Sequence, residues 1–214
     1  MTTFKENEKN IAGLTQELCR LIGSLQGDNT KIEALNYIRS VLHEASPLKH
    51  HPVDFVAWER AVNIEGNDYN PNHVATPEMK LLITSIEEDG YTMPIVTSPE
   101  EDGIRIVDGY HRRRSFLKSE KISQSTLGWL PVTYIREEHR DRGDRMATTI
   151  RHNRARGAHD IDLMSNIVKE LTEAGRSTDW IVKHVGMDRD EILRLKQFTG
   201  LAALFADKEF STHK

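Results

Sequence analysis

The stretch that decides the fold reads Ile104-Arg105-Ile106-Val107-Asp108-Gly109-Tyr110-His111-Arg112-Arg113-Arg114-Ser115-Phe116-Leu117. Residues 104–107 are rich in branched apolar side chains, which is typical of a strand, and residues 115–117 have the pattern of a helix start. Between them, Gly109 permits a steep turn because it has no Cβ, and it lets a ligand approach the main chain. The sequence therefore predicts a strand, a glycine turn and a helix.

The residues after this glycine carry an unusual density of positive charge for the start of a helix. Unpaired N–H groups point outward there, and the helix dipole favours anions. Arginines at that end oppose the dipole unless an anion is bound, and their guanidinium groups are forked donors suited to phosphate. Alternatively, the glycine serves a plain turn and the arginines are solvated. The predicted phosphate-binding residues of this turn are Gly109, Tyr110, His111, Arg112 and Arg113.

Elements on both sides of this turn predict a small mixed sheet. Residues 94–97 are a second strand, which the turn signal Glu101-Asp102-Gly103 joins to residues 104–107 as a hairpin. Residues 130–135 are a third strand. Thr76-Pro77 opens a helix, with proline at an early helical position, and Asp89-Gly90 ends it.

The N-terminal region has the period of helices. Apolar residues recur at three- and four-residue steps through residues 11–25 and again through residues 32–42. Thr30, with Glu33 three residues later, predicts a capping box at the start of the second helix. Residues 53–56 and 61–64 are expected to be short extended segments. The two apolar stripes have to pack on the next domain or on another copy of the chain.

The C-terminal region predicts a helix-turn-helix. Residues 177–179 cap one helix, Gly186-Met187-Asp188 is a tight turn, and residues 189–199 form the next helix. Its basic side chains Arg189, Arg194 and Lys196 are the predicted DNA contacts. The same topology also serves as a helical cap that only packs, and the sequence leaves both interpretations open.

These segments give an α+β fold with three parts. An N-terminal helical extension covers residues 1–52, a nucleotide-binding core with a small mixed sheet covers residues 53–156, and a helical region with a helix-turn-helix-like motif covers residues 157–214. The chain is long enough for a real hydrophobic core.

Composition and charge distribution indicate which kinds of site the protein has and which classes of protein are excluded. The 214 residues have a net charge of −4, yet 13 Lys/Arg against 6 Asp/Glu between Arg105 and Arg156 give that segment +7. A basic zone in an acidic chain indicates an anion site or a nucleic-acid face. No apolar run is long enough for a membrane span, and the N-terminus lacks a signal-peptide core, so we expect a cytoplasmic protein. One cysteine excludes an internal disulfide, and the ten histidines show no metalloprotease spacing, so no protein-only metal site is expected.

Three motifs in order resemble the ParB/sulfiredoxin-like superfamily. Residues 82–96 look like its helix–glycine–Pro-Ile/Val strand opening, Asp108-Gly109-Tyr110-His111-Arg112 is similar to its Gly-x-x-Arg phosphate motif, and Arg151-His152-Asn153-Arg154-Ala155-Arg156 is similar to its Glu-Asn-x-x-Arg motif. The resemblance covers roughly residues 55–205. It is nearest to the branch of prophage-gene co-activators, the immunoglobulin-binding regulator B type.

This resemblance implies a nucleotide-binding regulator linked to DNA binding or transcription. The ligand would be ATP, ADP or CTP, with Mg²⁺ bound through the phosphates and Asn153 as the candidate protein ligand. Asn153 and Arg156 would complete the phosphate site, and Thr92 to Pro94 would face the base or ribose. Further implied partners are a second copy of the chain, as a homodimer, and a phosphoadenosine-phosphosulfate-reductase-like protein.

Departures from the family pattern bear on catalysis. Tyr110 stands where sulfiredoxins have cysteine, so sulfinic-acid repair is not expected, and His152 stands where the partition motif has glutamate, which weakens the case for triphosphate hydrolysis. The chain also ends before any long linker and dimerisation domain, so a sliding clamp is not expected. The alternative function is a phosphotransferase or NTP hydrolase, for example a free-amino-acid-kinase-like enzyme, with Asp108 as general base. A nuclease ranks last because no dense acidic cluster is present.

Overall fold

The computed structural model describes residues 3–66, 76–101, 103–139, 141–154 and 161–205. These residues form nine α-helices and five strands, with short 3₁₀ turns between some of them. The helices are α1 (Phe4–Ser24), α2 (Asp28–Ala45), α3 (Thr76–Asp89), α4 (Tyr110–Lys118), α5 (Glu120–Ser125), α6 (Arg142–Arg154), α7 (Ile161–Glu173), α8 (Thr178–Val185) and α9 (Arg189–Phe205). The strands are β1 (Ala57–Arg60), β2 (Ile64–Glu65), β3 (Ile95–Glu100), β4 (Gly103–Asp108) and β5 (Trp129–Tyr134).

The chain divides into two compact units, an N-terminal unit of Met1–Trp58 and a C-terminal unit of Glu59–Lys214. In the N-terminal unit, α1 and α2 contact each other, and the Asn36 side chain of α2 bonds to both backbone groups of Trp58, at 2.6 and 2.9 Å. No residue of either helix is buried. The two helices predicted from the apolar stripes are therefore present, and their apolar side chains remain accessible.

Two local predictions in the N-terminal unit are wrong. The capping box at Thr30 does not exist, because α2 begins at Asp28, directly after Gly27, which turns the chain at φ 80°. Residues 53–56 are not a strand either, because Pro52 starts a 3₁₀ turn over Pro52–Asp54. The Asp54 carboxylate is bonded to His43 Nδ1 at 2.7 Å and accepts from the Ser46 hydroxyl at 3.0 Å, which holds this segment against the end of α2.

The five strands form one mixed sheet in the order β1-β5-β3-β4-β2. β3 and β4 form the predicted antiparallel hairpin, β5 runs parallel to β3, and β2 runs parallel to β4. The extended segment predicted at residues 61–64 is mostly wrong, because Ala61–Asn63 is a 3₁₀ turn and the strand begins only at Ile64. The sheet side chains that are almost fully buried are Ile64, Ile95, Ile106, Val107, Leu130 and Val132.

A β-bulge lies at the end of the hairpin. Val96 pairs with Asp108, but the next residue, Thr97, pairs with Ile106, so Val107 is an extra residue on β4. A bulge bends its strand and leaves backbone groups outside the ladder. The strand is therefore redirected one residue before Asp108.

The C-terminal helices bury a core of their own. It is built from the inner faces of α6, α7, α8 and α9, together with the turn between α8 and α9. Its members are Met146, Ala147, Ile150, Met164, Ile167, Val168, Leu171, Ile181, Val185, Met187, Ile192 and Leu195. The predicted α+β class, with an N-terminal helical extension, a small mixed sheet and a helical region after it, is confirmed. Within the described parts of the chain, no helix is long and apolar enough to cross a membrane.

Candidate functional site

The predicted strand–glycine–helix turn is present. β4 ends at Asp108, Gly109 has φ 96°, and α4 begins at Tyr110. Asp108 Oδ1 accepts a hydrogen bond from the Gly109 N–H at 2.7 Å, and the Gly109 carbonyl accepts from the N–H groups of Arg112 and Arg113 at 2.9 and 3.2 Å. Gly109, as the N-cap residue, has no side chain that could cap the first turn. The start of α4 thus keeps the polarity that attracts an anion.

The Arg112 side chain folds back over this glycine. A Cβ placed on Gly109 would lie 2.6 Å from Arg112 Nη2 and 2.9 Å from Arg112 Nε. Arg112 Nη2 is also 3.8 Å from Asp108 Oδ2, and both side chains are largely buried. The close approach that glycine allows here is therefore made by a guanidinium group, which lies on the turn itself.

The neighbouring basic residues differ in exposure. Arg114 is exposed, whereas His111 and Arg113 are half-buried. Arg113 Nε is buried without a hydrogen-bond partner, and Arg113 forms no ion pair with the residues the structure describes. Both ring nitrogens of His111 are shielded from solvent, and its ring packs edge-on to Tyr110 at 5.6 Å. A phosphate contact from His111 therefore needs a side-chain rotation, whereas Arg113 is a half-buried cation without a described counter-charge.

Tyr91 ties the loop before β3 to α4. Its hydroxyl donates to the Arg112 carbonyl at 2.9 Å, and burial of the phenol raises its pKa more than the Arg112 charge lowers it. Thr92 and Pro94 follow directly in the chain, with Thr92 exposed and Pro94 half-buried. The structure thus brings the segment predicted to face a base or ribose next to the arginine helix. The tyrosine that connects them, Tyr91, carries no local sequence signal that would have predicted this role.

Helix α6 is attached to the bulge at the end of β4. The Thr149 hydroxyl donates to the Val107 carbonyl at 2.7 Å and is itself buried. Asn153 lies four residues further along α6, so it shares a helix face with Thr149. The side chain of Asn153 and the whole of Arg156 lie outside the described residues. The backbone nevertheless places the first four residues of the third motif, 151–154, on the helix that packs against the turn.

A buried ion network accounts for part of the basic zone. Glu100 of β3 is bonded to Arg105 of β4 at 3.2 Å and lies 2.6 Å from Arg145 of α6, and Arg105 also bonds to Glu65 of β2 at 2.9 Å. These side chains join three strands and a helix. Arg105 and Arg145 are therefore structural ion-pair partners.

The predicted helix-turn-helix is present as α8 and α9. The Ser177 side chain caps α8 by accepting from the Trp180 N–H at 3.1 Å, and Gly186 ends α8 at φ 78°. Asp188 Oδ1 accepts from the Glu191 N–H at 2.7 Å and so caps α9. This carboxylate is therefore engaged at the helix start.

The three predicted DNA contacts have different surroundings. Arg194 is exposed. Arg189 is exposed too, and it pairs with Asp179 at 2.6 Å. Because both side chains are exposed to solvent, this ion pair contributes little to the free energy of unfolding. Lys196 is half-buried and is engaged by neighbouring groups.

Comparison with known proteins identifies the family. The protein YbdM of Escherichia coli (strain K12) is 48% identical to this chain over 199 residues, which are 92% of this chain and 93% of the relative. The chain belongs to the YbdM family. In this YbdM-family chain, residues 159–207 match the model of the IbrB-like C-terminal HTH domain, which confirms the regulator B type of helix-turn-helix.

Two solved structures resemble the YbdM-family chain in part. Both are of the C-terminally truncated chromosome-partitioning protein ParB from Caulobacter crescentus. The one complexed with CTP-gamma-S is 18% identical with a TM-score of 0.39, and the match covers 70% of this chain and 83% of that chain. The one complexed to the centromeric parS site is 16% identical with a TM-score of 0.44, and the match covers 71% and 79%.

Proposed function

We propose that this chain is a DNA-binding regulatory protein whose mixed-sheet core binds a nucleoside phosphate at the turn of residues 108–113. The IbrB-like helix-turn-helix at residues 159–207 supports the DNA-binding part. The observation that carries the nucleotide part is the uncapped start of α4, where Arg113 has a buried Nε and no described counter-charge. The guanidinium of Arg113 is half-buried with a shielded, unbonded Nε, and a bound phosphate would accept hydrogen bonds from this donor set.

The chemistry of the donor set fits a phosphate. Arg112 and Arg113 supply forked cationic donors, Gly109 leaves room for the Arg112 guanidinium on the turn, and the dipole of α4 adds positive potential. Thr92 and Pro94 would face the base or ribose of ATP, ADP or CTP. Mg²⁺ would be held through the phosphates, with Asn153 as the protein ligand, because the described residues include no cluster of three potential metal ligands.

Binding without turnover is the proposed role of this site. A general base needs a carboxylate oxygen that can accept a proton from the attacking group. Asp108 Oδ1 already accepts from the Gly109 N–H, and Oδ2 faces Arg112. This arrangement supports an anchoring role for Asp108. The phosphotransferase or NTP hydrolase alternative has no comparable support from the site.

A thermal-shift screen with ATP, ADP, CTP and GTP, with and without Mg²⁺, tests the nucleotide part. A ligand at about 100 times its Kd stabilises the folded state by about 2.7 kcal/mol. We expect one nucleotide to raise Tm, Arg113→Ala to weaken that nucleotide at least tenfold, and the control Lys118→Ala, at the exposed far end of α4, to change affinity less than twofold. Absence of any shift contradicts the proposal, and stoichiometric release of phosphate would instead favour the enzyme.

Two partners complete the proposal. A second copy of the chain would form a homodimer, and a phosphoadenosine-phosphosulfate-reductase-like protein would join in regulating transcription, as the regulator B resemblance implies. DNA binding is measured by fluorescence anisotropy on random duplex DNA at increasing salt. We expect affinity to fall as salt rises, because bound phosphates release counterions.

A further inference from the structure

Helix α9 has two opposite faces over its described side chains. Ile192 and Leu195 are buried in the helical core. The outward side chains fall at steps of three, four and seven residues, which places them in one stripe along the helix. This outward stripe consists of Asp190, Leu193, Arg194 and Gln197, all of them exposed.

Leu193 is the apolar member of that stripe, and 55% of its surface is exposed. The apolar side chains beside it in α9 are buried, so packing in the helical core does not account for its position. Both edges of a base pair in the major groove are polar except at thymine, whose C5-methyl group is apolar. A leucine between polar side chains on the second helix of a helix-turn-helix matches that methyl group.

The start of α9 is poorly suited to base reading. Asp188 is occupied as the cap, and Asp190 and Glu191 add negative charge that phosphates repel. Sequence readout is therefore expected further along the helix. Leu193 and Gln197 are four residues apart, which is about 6 Å along the axis and close to two base-pair steps.

We propose that Leu193 and Gln197 determine the DNA sequence that this protein recognises, with Leu193 against a thymine methyl group and Gln197 bonded to the N6 and N7 atoms of an adenine one or two pairs away. This assignment rests on the proposed DNA-binding function. Arg194, between them, is the residue of the stripe whose guanidinium matches the O6 and N7 atoms of guanine.

The first test needs no protein variant. A DNA duplex is selected from a random library with the full-length wild-type chain, and each thymine is then replaced in turn by deoxyuridine, which lacks only the methyl group. We expect one replacement to weaken binding about fourfold, the worth of one buried methyl group. Enrichment of a sequence in which no deoxyuridine replacement has an effect overturns the assignment of Leu193.

A double-mutant cycle then ties the methyl group to this side chain. In Leu193→Ala the deoxyuridine penalty should vanish, whereas Leu48→Ala, an equally exposed leucine of the N-terminal unit at 58%, should retain it. A penalty that persists in Leu193→Ala overturns the assignment. For Gln197, we expect Gln197→Ala to lose at least about fivefold in affinity and all discrimination between adenine and 7-deazaadenine at one position; unchanged discrimination overturns that half.

Failure of the inference and failure of the proposed function give different results. A wild-type chain that enriches no sequence and binds no duplex contradicts DNA binding as a whole, and the assignment falls with it. A wild-type chain that enriches a sequence whose readout is unchanged in Leu193→Ala and Gln197→Ala supports the DNA-binding function and contradicts only the two assigned residues. Circular dichroism of both variants confirms that α9 remains folded.

Discussion

Two features of the structure require a glycine at position 109: the backbone conformation and the position of the Arg112 side chain. The φ of 96° at Gly109 is strained for any residue with a Cβ, and an added methyl group would lie 2.6 Å from the Arg112 guanidinium. Gly109→Ala should therefore lower the free energy of unfolding by about 1–3 kcal/mol and should also displace Arg112 from the turn. Urea denaturation measures the first effect, and the affinity for the nucleotide found by thermal shift measures the second.

The chain offers a matched control for this prediction. Gly128 has a similar φ of 81°, but a Cβ there would meet nothing within 4 Å. Gly128→Ala should show the conformational cost alone and leave nucleotide affinity unchanged. Equal effects of the two substitutions on affinity would show that the contact between Gly109 and Arg112 has no part in the site.

Buried tyrosines make stability depend on alkaline pH. Burial raises the pKa of Tyr91 above its usual value of 10.0, so the folded state keeps a proton that the unfolded state loses near pH 10. Stability from this group is complete below pH 10 and falls as pH rises above it, because the unfolded state then binds fewer protons. Tyr134, whose pKa burial and Glu59 raise, acts in the same direction.

Urea denaturation at pH 9, 10 and 11 checks this dependence. Tyr91→Phe should give a shallower loss of stability between pH 10 and 11 than the wild type. At pH 7 it should cost about 1 kcal/mol, because the Arg112 carbonyl loses its hydrogen bond. Tyr37→Phe, at a tyrosine that is 71% exposed, should leave the alkaline slope as it is in the wild type. Parallel slopes for Tyr91→Phe and the wild type would contradict the buried phenol.

At the scale of elements, the start of α9 depends on one cap. Asp188 accepts from the Glu191 N–H, so Asp188→Ala should destabilise the C-terminal unit by about 1 kcal/mol. Asp190→Ala is the matched control, because Asp190 is an exposed aspartate in the same turn, and it should change stability by less than about 0.5 kcal/mol. Thermal denaturation followed by circular dichroism compares the two. An equal loss from both variants would assign the effect to the helix dipole instead of the cap.

The sequence correctly predicted those helices and strands whose ends are marked by a glycine or a proline. The hairpin of β3 and β4, the helix after Pro77 and the helix after Gly109 each have a glycine or proline at the expected place, and all three are present. The predictions failed at residues 53–56 and 61–64, where β-branched residues suggested strands. At residues 53–56, Pro52 and the Asp54 carboxylate, through its bonds to His43 and Ser46 at the end of α2, determine the local conformation instead. Residues 61–63 form a second 3₁₀ turn.

For the candidate site, too, the sequence predicted the local part and not the contacts that depend on distant residues. The arginine turn is contiguous, so its charge and its glycine stand together in the chain. Its supports are distant in the sequence: Tyr91 is 21 residues from Arg112, Thr149 is 42 residues from Val107, and Arg145 of α6 pairs with Glu100 of β3. Such pairs exist only after the sheet has formed and the bulge has redirected β4, and no local pattern in one sequence specifies them.

At the scale of the whole molecule, we expect the apolar side chains of the N-terminal helices to form the surface of a homodimer. Helices of this kind gain most of their stability from tertiary packing, yet neither helix buries a residue. A second copy is the occupant we expect, because two such helical pairs offer each other the same apolar surface, as a two-fold interface requires. The exposed apolar side chains of this surface are Phe4, Ile11, Leu14, Leu21, Tyr37, Val41 and Leu42.

Sedimentation velocity tests this expectation. The wild type should be a dimer at micromolar concentration, and Leu14→Glu combined with Leu21→Glu should give a monomer, because two charges would be buried without partners. Val62→Glu, at a valine of the C-terminal unit that is 87% exposed, should leave the dimer intact. A wild type that stays monomeric at 100-fold higher concentration contradicts the second copy as the occupant.

Helix α6 serves both the sheet and the helical core. Its Thr149 hydroxyl is bonded to the bulge of β4, while Met146, Ala147 and Ile150 fill the core shared with α7, α8 and α9. A fragment that begins at residue 159, where the HTH family model begins, would leave the buried faces of α7 and α8 open to water. The helix-turn-helix should therefore be expressed alone, or moved into another protein, only from residue 142 onward. A chimaera joined inside α6 would have to keep both the bond of Thr149 to the sheet and the packing of α6 in the helical core.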